Sequence, residues 1–104
     1  MKDTGEERRN FARQRTHLSA EVRSGVFCEK GNAESLAFGG TFICVSRTFL
    51  PNTIIEVKLD LPRQPTPFCG SARVVWVQKN QAMGLEFLDL PMSERLKLEQ
   101  FLVP

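Results

Sequence analysis

The chain of 104 residues predicts an all-β fold, a six-stranded antiparallel β-barrel with a C-terminal α-helix. Three observations predict it. Apolar and polar residues alternate in short runs between residues 18 and 88, the period of strands that bury one face. Gly, Pro and Asn punctuate those runs. After Pro91 the period changes to that of a helix. About six short strands in so small a chain bury a shared face best by closing on themselves.

Residues 1–16 are polar, lack a sustained hydrophobic period and read as a flexible Arg-rich N-terminal arm, with Phe11 as its large apolar anchor. The barrel is expected over residues 17–104. Leu18, Ala20 and Val22 begin a strand that runs to about residue 28, and Glu29-Lys30-Gly31-Asn32 supplies turn residues. Strands over 33–38 and 41–46 are separated by Gly39-Gly40. Ile55, Val57, Leu59 and Leu61 alternate with Glu56, Lys58 and Asp60, the cleanest half-buried strand in the chain. Three prolines make 62–67 a loop. A long strand over 68–78 puts Ala72, Val74 and Trp76 on one face, and Lys79-Asn80-Gln81 turns it into a last strand over 82–88. A helix at about 91–102 carries Leu98, Phe101 and Leu102 on one side.

Composition narrows the function classes. Hydrophobic residues at 41% and charged residues at 25% describe an ordinary soluble domain. No apolar run approaches the roughly 20 residues that span a bilayer. The start MKDTGEERRN is charged where a secretory signal is apolar, so a cytoplasmic protein with no membrane insertion is expected. Cys28, Cys44 and Cys69 are widely spaced and read as small, partly buried apolar side chains. With His17 as the lone histidine, metal and triad chemistry have little to build on. A net charge of +2 is too small for bulk attraction to nucleic acid. The positive field is local: Arg8, Arg9, Arg13 and Arg15 have no acid among them.

Arg9 and Arg13 are spaced Arg-x-x-x-Arg, with Arg8 beside them. Ser35-Leu36-Ala37-Phe38-Gly39-Gly40 then aligns with Asp/Asn-x-Ser-x-x-Gly, keeping the last glycine as Gly40. Arg73-Val74-Val75-Trp76, Met83-Gly84-Leu85-Glu86-Phe87 and a helix after Leu90-Pro91 come next, in that order. Over about residues 7–102 the chain resembles the PilZ domain family in both order and spacing. The resemblance implies a six-stranded barrel with a terminal helix. It further implies a non-enzymatic receptor for cyclic di-GMP, which orders its arm on the ligand and signals to a partner protein, with no cofactor besides the ligand.

The residues implied to bind are Arg8, Arg9, Arg13, Ser35, Ala37, Gly40 and Trp76. A guanidinium is a rigid fork that donates two parallel hydrogen bonds to guanine O6 and N7, or holds a phosphate. Trp76 occupies a strand position that stacks near a base in some members of the family, although one Trp in an alternating strand is more often core. The second motif departs from the family: Ser35 is uncharged and shorter than Asp, and Ala37 has no hydrogen-bonding group. Losing both bonds weakens binding by roughly 2–4 kcal/mol. That loss favours an alternative, a nucleotide-independent PilZ protein–protein interaction module. A third reading, a binder of single-stranded nucleic acid, is disfavoured by the low net charge.

Overall fold

Strands with one apolar face must share that face, and the computed structural model, which describes residues 13–103, has the six expected strands doing so. The elements are β1 (Arg13–Ser24), β2 (Phe27–Ala37), β3 (Gly40–Cys44), β4 (Ile54–Leu59), β5 (Phe68–Gln78), β6 (Ala82–Leu88) and α1 (Met92–Leu102). All neighbours are antiparallel, in the order β1-β2-β3-β6-β5-β4, and β4 pairs back onto β1 to close the barrel. Closure gives each of these strands a neighbour on both sides, the arrangement that removes sheet edges.

The interior is one apolar layer. Val22, Leu36, Ile43, Ile55, Leu59, Phe68, Val74 and Met83 are all buried within it, and Phe87 packs its ring against Phe68 at 5.2 Å. Thr41 is buried among them, and its hydroxyl donates to the Ser35 carbonyl at 2.7 Å, so its polar group is satisfied.

Three expectations are corrected. The first hairpin turns at Gly25 and Val26, between the paired residues Ser24 and Phe27, and residues 29–32 continue β2. Gly25 has φ of 60° and Val26 does not share the positive φ, the pattern of a two-residue type II′ turn with Gly first. The pairing register between two long strands thus outweighs the turn composition of residues 29–32. β1 also begins at Arg13, ahead of the expected barrel start at residue 17, because Arg13 and Arg15 pair with Ala37 and Ser35. Finally, Cys44 is half-buried as expected, whereas Cys28 and Cys69 face solvent.

α1 covers one barrel mouth. Leu98 and Leu102 are buried and Phe101 packs against the same core. The helix is also pinned by charge. Glu94 Oε1 accepts from the Cys69 backbone N–H at 2.9 Å, and Lys97 Nζ donates to Thr66 Oγ1, the Pro67 carbonyl and Glu94. Burial disfavours the Glu94 carboxylate, but the Cys69 N–H and Lys97 outweigh it and hold its carboxyl below its ordinary value.

Leu98→Ala should therefore destabilise the domain by about 2–4 kcal/mol, read as a fall of roughly 10–20 °C in the melting midpoint. Glu94→Gln should lower stability near neutral pH by about 1 kcal/mol in denaturant titrations. Since folding lowers this pKa, the stabilisation is complete above the ordinary carboxylate range and lost as pH falls through the lowered value. The difference between the two proteins should close on acidification.

Candidate functional site

In a closed barrel the functional side chains are the outward ones, and strand parity decides which those are. On β3, Thr41 and Ile43 point inward, leaving Gly40 and Phe42 outside. On β6, Met83 and Leu85 are buried, leaving Gly84 and Glu86 outside. On β2 the register shifts between Ala33 and Ser35, so that Leu36 is buried and Ser35 and Ala37 face out. These outward residues meet in a groove of about 460 Å³ lined by Arg13, Ser35, Ala37, Gly40, Phe42 and Glu86, with Gly39, Thr41, Val75, Gly84 and Leu85 completing it.

The structure thus brings Arg13, Ser35, Ala37 and Gly40 together. Arg8 and Arg9 lie outside the described residues. Gly40 has a structural reason beyond the ligand: an added Cβ would run into the Leu85 carbonyl oxygen where β3 crosses to β6. The β2–β3 turn is tied down next to it, since the Phe87 N–H donates to the Gly39 carbonyl at 2.8 Å.

Trp76 is a correction. The sequence placed it on one face with Ala72 and Val74, but the register shifts between Val74 and Trp76. This bulge turns Val75 and Trp76 both outward, at 52% and 48% exposure, and sends Val77 to the core side instead. Trp76 does not line the groove itself. It packs against Phe42, which does, with ring centroids 5.5 Å apart and planes tilted by 35°. Gly84 lies between them in the pairing register, opposite Phe42 on one side and Trp76 on the other. The result is an aromatic shelf beside the groove.

Five features escaped the sequence reading. Phe42, Gly84 and Glu86 were recoverable from alternation, because each sits between residues that must be buried. Val75 follows from the same alternation, next to the buried Val74; what the bulge alters is Trp76 beside it. Arg15 pairs with Ser35 and so shares its outer face, a position recoverable only once β1 is known to start at Arg13. Charge is mixed rather than uniformly positive: Glu86 Oε1 accepts from Arg73 Nη2 at 2.6 Å, with both side chains about half exposed. Among the described residues no group of His, Cys, Asp or Glu could hold a metal ion, and no helix is long and apolar enough to cross a membrane.

Comparisons with known proteins agree with this geometry. The fold matches the Bacillus subtilis inhibitor of motility (MotI/DgrA) with a TM-score of 0.76 at 14% identity, covering 88% of this chain. It spans only 47% of that protein's chain. It also matches the PilZ domain of CeSA from a cellulose-synthesizing bacterium, with a TM-score of 0.70 at 15% identity, covering 86% of this chain and 93% of that one. No curated protein sequence matches significantly. The PilZ domain model matches residues 7–103, nearly the whole sequence. With Arg13 and the second signature segment meeting in one groove on a six-stranded barrel, and the family model covering nearly the whole sequence, this chain belongs to the PilZ domain family.

Proposed function

We propose that this PilZ domain is a non-enzymatic receptor that binds cyclic di-GMP in the groove between Arg13 and the β2–β3 turn, and acts through a partner protein. The observation that carries the reading is that Arg13 and the Ser35–Gly40 motif, far apart in sequence, line a single groove. Its chemistry suits such a ligand. Arg13 supplies a guanidinium for guanine O6 and N7 or for a phosphate. The outward Phe42 and Trp76 offer apolar ring surface to a base, and aromatic stacking of this kind contributes about 1–3 kcal/mol per base. Arg9, four positions before Arg13, and its neighbour Arg8 are proposed to complete the clamp from the preceding segment. Drawing that segment onto the ligand would change the surface offered to a partner. One structural neighbour is an inhibitor of motility; for this chain, output through a contacted protein is proposed.

A second reading, a nucleotide-independent interaction module, is favoured by one specific observation. Val75 lines the groove and Trp76 stands beside it, both exposed and apolar, while Ser35 lacks the family's carboxylate or amide and Ala37 lacks its hydroxyl.

Calorimetric titration with cyclic di-GMP, using GTP as control, separates the two. Micromolar or tighter binding is expected, weakened about 10- to 100-fold by Arg13→Ala and further by Arg9→Ala/Arg13→Ala. A folded protein giving no heat up to millimolar ligand would leave the interaction module as the better account.

A further inference from the structure

One outer row crosses the floor of the groove from Arg13 on β1 to its partner Ala37 on β2, then, one step beyond the Leu36–Thr41 pair, to Gly40 on β3, and on through Glu86 on β6 to Arg73 on β5. Ala37 and Gly40 flank the two-residue turn and carry the smallest side chains in the row. A cation therefore stands at one end of the groove and a carboxylate at the other, with an open floor between. Three strand spacings of about 4.8 Å give a contour of roughly 14 Å between the two backbones along the curved wall, within which two long side chains can reach the edges of one purine ring.

Guanine is complementary to such a pair. One edge carries the O6 and N7 acceptors that suit a guanidinium. The adjoining edge carries two parallel donors, N1–H and the 2-amino group, that suit a carboxylate. Adenine presents an acceptor at N1, which a carboxylate repels. Glu86 is equipped for this role. Among the described residues its one partner is Arg73, at Oε1, and a carboxylate accepts up to about four hydrogen bonds. The Arg73 charge also offsets the repulsion that Glu86 would exert on the phosphates of a nucleotide.

We propose that Glu86 is the guanine-specifying residue of the groove, accepting from N1–H and the 2-amino group of a base whose O6 and N7 face Arg13. The proposal rests on the cyclic di-GMP reading above. It also accounts for Ser35 and Ala37: the acceptor missing from the second motif is supplied from β6, across the groove, and the small floor admits the ring.

The test titrates wild type, Glu86→Ala, Glu86→Gln and Arg13→Ala with cyclic di-GMP, cyclic di-AMP and cyclic di-inosine monophosphate, which lacks only the 2-amino groups. Melting curves check that the exposed Glu86 position tolerates substitution. Wild type should prefer the guanine ligand over the inosine ligand by about 10-fold or more. Glu86→Ala should weaken cyclic di-GMP about 10- to 100-fold and shrink that preference to within about two-fold. Glu86→Gln, keeping one acceptor, should fall between. Unchanged or tighter binding by Glu86→Ala with the preference intact, while Arg13→Ala still weakens it, would overturn the role of Glu86 and leave the receptor reading standing. No cyclic di-GMP binding by wild type would remove both.

Discussion

Barrel closure imposes the constraint on which the other features depend. A six-stranded barrel has room inside for a single layer of side chains, so every strand must commit one parity to that layer and present the other to solvent. Val22, Leu36, Ile43, Val57, Leu59, Val74 and Met83 fill the layer with almost no exposed surface, and burial of this kind is the main favourable term in folding. Once β4 has paired back onto β1, no strand can slip by one residue without turning its apolar set to water. The outer surface is thereby fixed by the residues held inside.

The groove is a product of that commitment together with its local exceptions. Register shifts interrupt β1 between Arg15 and Leu18, β2 between Ala33 and Ser35, and β5 between Val74 and Trp76. The shifts in β2 and β5 each reverse the parity of the residues beyond them, and between them they place Ser35, Ala37 and Trp76 on the outer surface. Bulges beside binding sites commonly re-aim side chains in this way. Gly40 adds a further condition, because the approach of β3 to β6 leaves no space for a side chain there. The residue that marks the family's second motif is thus needed by the barrel whether or not a ligand is present.

The helix and the groove are largely independent. α1 rests on the barrel mouth through Leu98 and Leu102, and on the β4–β5 connection through Glu94 and Lys97. None of these residues lines the groove. The helix completes the core, whereas the groove is gathered on the barrel wall from β1, β2, β3, β5 and β6.

The sequence by itself determined the strand count, the all-β class, the terminal helix and the family. Alternation in residues 54–61 and 82–88, and the loop prolines, are local signals that act over a few residues, so they can be read without the fold. Motif spacing also singled out Arg13, Ser35, Ala37 and Gly40 as candidate site residues. Tertiary structure alone decided the rest. The first turn fell at Gly25 because two long strands pair along their whole length, an interaction that turn composition at 29–32 does not encode. Trp76 faced outward because one extra residue in β5 shifted its register against β6, a choice made between strands and invisible within either. Glu86 stands across the floor from Arg13 because strand order placed β6 next to β3, and no local pattern records which strands become neighbours.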